Sequence, residues 1–132
     1  MDTRDFSELA ARSWDAAKHL CIGLDIDPAR LPRHLEGDDA TRALAFASAI
    51  VDATSDVAGA YKPNAAFFEA LGNDGPRVLR DVIRHIHEVA PEVPVIVDAK
   101  RADISSSNLG SVEYLFEFLG GDATTIHPYL GS

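Results

Sequence analysis

Acid and base alternate where one apolar run ends: "VPVIVDAKRADISSSN" (93–108) passes from Val97 into Asp98, Lys100, Arg101 and Asp103. A carboxylate beside an ammonium keeps both ionised, lowering the pKa of the acid and raising that of the amine. An ammonium fixed in this way can stabilise negative charge as it develops on a bound molecule and can then give that charge a proton. The plain alternative is an ion pair that closes a strand, and surface pairs contribute only about 0–1 kcal/mol. Two further residues favour chemistry. Lys62 in "AYKPN" and Asp25 in "CIGLDID" end two other apolar runs, so the chain offers a ring of alternating charge.

The elements that must position this ring follow from hydrophobic period. Phe6, Leu9, Trp14 and Ala17 fall at helical spacing, and "LCIGLDID" reads as a strand stopped at Asp27-Pro28. "GDDATRALAFASAIVDA" is a helix capped by Asp38 or Asp39, and "VAGAYKPN" is a strand that Pro63 ends. Val78, Leu79, Val82, Ile83 and Ile86 line a second amphipathic helix, "VPVIVDA" a third strand, Leu109 to Leu119 a further helix, and "DATTIHPYLG" a fourth strand. Strands alternating with helices imply right-handed crossovers and a parallel sheet. A nucleotide-binding open sheet would show a glycine-rich turn after its first strand, which "GLDIDPAR" lacks. A parallel (β/α) barrel of TIM type fits better, because its working groups project from the C-terminal ends of several strands.

Composition narrows the partners. A formal net charge of -9 opposes a nucleic-acid polymer or an anionic membrane, and leaves a small anion held by local cations. The single cysteine, Cys21, forms no internal disulfide, and the acidic amphipathic start has no apolar leader segment. The expectation is a cytoplasmic protein with one domain over residues 1–132. His19, His34, His85 and His87 show no ligand spacing toward His127, so no metal is expected, and His127 reads as a turn histidine.

The block "DAKRADI" resembles the Asp-x-Lys-x-x-Asp signature of orotidine 5'-phosphate decarboxylases. "CIGLDIDPARLP", "YKPNAAFFEALG" and "HPYLGS" are similar to neighbouring blocks of the bacterial branch of that family, in the same order. The resemblance implies decarboxylation of orotidine 5'-monophosphate to UMP in pyrimidine biosynthesis, without metal or organic cofactor, by a homodimer with shared active sites. It implies that Lys100 delivers the proton to C6 of the pyrimidine, that Asp98 lies near the substrate carboxylate, and that Lys62 joins the charged network and contacts the ribose. By the same resemblance Asp25 holds a ribose hydroxyl, Asn64 lies near the ribose, and Asp103 reaches the neighbouring subunit's site with Ile104 and Ser107 beside it.

Several positions depart from the family pattern. Ala102 stands where glycine is usual, which predicts strain if φ there is positive; Ser107 replaces threonine, and His127 replaces asparagine or threonine. Arg101 reads as solvated or as a contact to the dimer partner, and Phe67 and Phe68 as helix packing. A full barrel takes about 250 residues, so 132 residues are expected to supply only its first half, (βα)3β with an N-terminal helix. Two other readings remain: a sugar-phosphate lyase resembling hexulose phosphate synthase, whose similar block binds magnesium, and a non-catalytic half-barrel that serves assembly.

Overall fold

The computed structural model describes residues 4–130. Helix α1 (Phe6–Asp15) is capped by the Asp5 carboxylate, which accepts from the Glu8 amide. It stops earlier than the sequence spacing predicts, and Ala17 takes a φ of 56°. Trp14 is consequently 71% exposed, and Leu9 and Ser13 form the buried face instead.

Strand β1 (Leu20–Leu24) leads through a 3-10 turn to α2 (Asp39–Thr54), where Asp38 is the capping acid, accepting from the Thr41 amide at 2.8 Å. The chain continues through β2 (Ala58–Pro63), the short helix α3 (Ala65–Glu69), α4 (Gly75–Val89) and β3 (Ile96–Arg101). The predicted helix after β3 is divided. Helix α5 (Ser105–Val112) runs into a π-helical segment over Glu113–Phe118, closed at Gly120 with φ 77°, and β4 (Ala123–Ile126) follows.

β1 pairs with β2 and β3 with β4, all parallel. Parallel bridges from Tyr61 to Val95 and from Asn64 to Asp98 join the two pairs, so the strands lie in chain order. That is the first half of a (β/α) barrel: successive parallel strands side by side, with helices outside. α4 shows why it holds. Val78, Val82, Ile83 and Ile86 are completely buried and Leu79 nearly so, against Ala43, Ala47 and Val51 of α2 and the apolar strands. Each such side chain contributes about 1.5–3 kcal/mol when fully buried.

β3 is not regular at its end. The steps from Val97 to Arg101 face only those from Thr124 to Ile126, so β3 bulges between them. Lys100, inside the bulge, has a φ of 50°. Ala102, where strain was expected, does not lie in the left-handed region. The strained position is the lysine two residues earlier.

Candidate active site

Each parallel strand brings its end to the same rim, and the rim collects charge. Asp98 is the centre. Its residue is only 9% exposed, and both carboxylate oxygens accept hydrogen bonds. Lys62 Nζ, projecting from β2, donates to Oδ2 at 2.8 Å. Lys100 Nζ donates to Oδ1 at 2.7 Å, and the Thr125 hydroxyl of β4 donates to the same oxygen at 2.8 Å.

The electrostatics follow from these contacts. The Lys100 ammonium, then that of Lys62, hold the Asp98 carboxyl far below the usual carboxylate range, and the opposing effect of burial is overcome. The Lys62 ammonium is pushed up, mainly by its hydrogen bond to Asp98, with added attraction from Asp98 and Asp25. Lys62 and Lys100 differ in access: their side chains are 32% and 63% exposed. Lys100 therefore presents its ammonium at the mouth while Asp98 anchors it from beneath.

Two residues apart on a regular strand, Asp98 and Lys100 would share one face by alternation. In the structure they meet by another route. The bulge turns the Lys100 backbone, and its amide, which has no ladder partner there, donates to Thr125 Oγ1 at 3.0 Å. Thr125 thus bridges the carboxylate and the lysine backbone, and the sequence reading missed it. Its signal was the strand period, which sets Thr125 on the same face as Ala123 and His127.

The other expected residues spread around this centre. Asp25 is exposed just past β1, in a cleft of about 350 Å³ that Asp27, Arg30, Leu31, Phe46 and Phe67 also line. Asn64 caps α3, its side-chain oxygen accepting from the Ala66 amide at 3.3 Å. Phe68 is buried in the core as helix packing, while Phe67 faces the Asp25 cleft. Asp103 does not touch Lys100. It is exposed, accepts from the Ile104 amide and is braced by Asn108. Ile104 is 67% exposed and Ser107 is exposed on α5. Arg101 pairs with Glu69 of its own chain while its side chain stays 43% exposed, in keeping with the solvated reading.

His127 stacks on Tyr129 with ring centroids 5.5 Å apart, and its Nδ1 is buried without a partner. The end of the "HPYLGS" block, Gly131 and Ser132, lies outside the described residues. A larger cavity of about 730 Å³ runs between α5 and β4, lined by Arg101, Asp103, Ile104, Asn108 and His127 among others, beside the charged centre. Among the described residues no cluster of three or more His, Cys, Asp or Glu could hold a metal ion.

Sequence and fold connect this chain to known proteins. A curated relative from Roseiflexus sp. (strain RS-1), called orotidine 5'-phosphate decarboxylase, is 49% identical over 120 residues, 91% of this chain and 40% of its own length. One of the same name from Roseiflexus castenholzii is 44% identical over 127 residues, covering 96% of this chain and 45% of the relative. The structure of Leishmania donovani OMP decarboxylase superposes with a TM-score of 0.82 at 36% identity, over 98% of this chain and 46% of that one. The chain spans less than half the length of each of these relatives. Residues 18–132, which hold every charged group of the rim, match the profile of the Orotidine 5'-phosphate decarboxylase / HUMPS family, and the chain belongs to that family.

Proposed function

We propose that this chain carries the charged half of an active site that converts orotidine 5'-monophosphate to UMP by decarboxylation. The observation that carries this reading is the Asp98 carboxylate held between the Lys62 and Lys100 ammoniums at 2.8 and 2.7 Å. Loss of carbon dioxide leaves a poorly delocalised carbanion, which needs a fixed cation and a proton at one place. Lys100 supplies both, at C6 of the ring, and Asp98 keeps it oriented. Lys62 and Asp25 hold the ribose hydroxyls, with Asn64 nearby. Neither metal nor organic cofactor enters.

The name shared by the relatives at 44 and 49% identity supports this substrate over a sugar phosphate.

Residues 1–132 act as one domain, the N-terminal part of a (β/α)8 barrel, since one continuous core runs from Leu24 to Leu119. The protein works as a homodimer in which Asp103, Ile104 and Ser107 complete the neighbouring site; their exposure, and the binding of Asp103 to Ile104 and Asn108 while Lys100 pairs with Asp98, support this. A cytoplasmic setting suits the exposed free thiol of Cys21, and among the described residues no helix is long and apolar enough to cross a membrane.

The test is turnover of orotidine 5'-monophosphate by the chain assembled with a polypeptide supplying the remaining barrel strands. Lys100→Ala should abolish turnover while the chain keeps its folded circular-dichroism spectrum. Activity retained in Lys100→Ala would sink the assignment.

A further inference from the structure

We propose that Thr125 is a positioning residue that sets the backbone conformation and direction of Lys100. The role rests on reading Lys100 as the proton donor, but its physical basis is separate. A φ of 50° is unfavourable for any residue with a Cβ, and such strain persists only where the surroundings enforce it. At Lys100 the parallel ladder does not enforce it, because the bulge removes the register between Val97 and Arg101.

One side chain fills that gap. Thr125 Oγ1 accepts from the Lys100 amide at 3.0 Å, and its own proton goes to Asp98 Oδ1 at 2.8 Å. The same Asp98 oxygen accepts from Lys100 Nζ at 2.7 Å. Lys100 is therefore held at both ends, backbone and ammonium, through one hydroxyl and one carboxylate. A hydroxyl is the smallest group that can accept and donate at once, which a carboxylate or an ammonium in that place could not do. Being β-branched, threonine also has a restricted χ1, which fixes the direction of the hydroxyl. The neighbouring Thr124 shows the contrast: its hydroxyl turns to the Val97 carbonyl and takes no part.

The role goes beyond holding the strand pair together. Without Thr125 the bulge could relax toward regular strand geometry, and the Lys100 ammonium would leave the direction in which Asp98 supports it. Thr125 acts through the Asp98 carboxylate and the Lys100 backbone, which it touches directly, so no ground-state contact with the substrate is assigned to it. The cost should therefore fall on turnover more than on binding.

The experiment compares Thr125→Val, which keeps the shape and removes the hydroxyl, with Thr125→Ser, which keeps the hydroxyl, and Thr125→Ala as a second deletion without β-branching. In the 132-residue chain, amide hydrogen exchange at Lys100 should speed up about tenfold in the Val and Ala variants, the scale set by losing one to two hydrogen bonds. Exchange at β2 amides should be unchanged, and Ser should restore Lys100 to within about twofold of wild type. In the chain assembled with the remaining barrel strands, the Val variant should lower kcat and leave KM nearly constant, with Ser recovering most of kcat. Wild-type exchange at Lys100 in both deletion variants, or an unchanged kcat in an active assembly, would overturn the proposal. If the wild-type assembly turns over no orotidine 5'-monophosphate, the assignment of the reaction fails, and the exchange data still decide whether Thr125 holds Lys100.

Discussion

Lys62 Nζ and Asp98 Oδ2 meet at 2.8 Å from adjacent strands whose backbones bridge at Asn64 and Asp98. The pair is a link between strands as well as a charge pair. Asp98 contributes to stability because its carboxyl is favoured as the anion by Lys100 and Lys62. A carboxyl whose folded pKa lies below its unfolded value stabilises the fold at pH values above the unfolded pKa, and that contribution is lost as pH falls through the folded value.

Asp98→Asn should therefore lower stability by about 2 kcal/mol near neutral pH, leaving two ammoniums without their anion. The difference from wild type should shrink as pH falls below about 4, where the unfolded carboxyl protonates. Urea melts of both proteins from pH 7 to pH 2.5 check this. A gap that stays constant through that range would show that the charge of Asp98 is not what stabilises the strand ends.

His87 carries the second pH dependence, away from the rim. Its ring is largely buried on α4, Nε2 has no partner, and the nearest acid oxygen, Asp122 Oδ2, is 3.9 Å away and already bound. Burial lowers its pKa, Arg4 lowers it further, and Asp122 opposes them. Depression of a histidine pKa favours the neutral fold, so stability is present above about pH 6.5 and declines as pH falls below it. We expect His87→Leu to flatten the fall in melting temperature between pH 7 and pH 5. An equal fall in both proteins would assign it to other groups.

How far these features could be read beforehand depends on what produces them. Val78, Leu79, Val82, Ile83 and Ile86 recur at helical spacing, and all face the core as that spacing requires. The charged residues at the strand ends were equally legible, since a parallel strand is apolar until it leaves the interior. The bulge was not. Positive φ is anticipated at glycine, and here it falls on Lys100, held by a side chain from another strand. Trp14 misled for a local reason: its spacing suits a longer helix, but α1 stops at Asp15 and the chain turns at Ala17.

Arg4 fastens the N-terminal segment to the sheet. Its guanidinium binds both oxygens of Asp122 at 2.8 and 3.0 Å and reaches the carbonyls of Pro91 and Val93. Asp122, with a side chain only 2% exposed, also accepts from the Val95 amide. Arg4→Ala leaves a buried carboxylate with a single donor and should cost about 2–4 kcal/mol. Arg4→Lys should recover little, because one ammonium does not reproduce the two-pronged contact. Chemical denaturation of the three proteins measures both; equal stability of wild type and Arg4→Ala would make the contact a surface detail.

The last expectation concerns the residue that does not join its own cluster. Asp103 lies only a few residues past Lys100, yet its carboxylate turns back to the Ile104 amide at 2.7 Å and leaves Lys100 to Asp98 and Thr125. Under the shared-site reading its partner is the Lys100 of the neighbouring subunit. Lys100→Ala and Asp103→Ala homodimers, each built from the chain with its remaining barrel strands, should both be inactive. Mixed dimers place an intact Lys100 and an intact Asp103 in one of their two sites. Random reassociation makes about half of all dimers mixed, so roughly a quarter of wild-type activity should return. Subunit exchange is verified first by mass spectrometry of differently tagged chains, so that a silent mixture carries meaning. Exchange without recovered activity would place Asp103 in the site of its own subunit, or restrict it to bracing the start of α5.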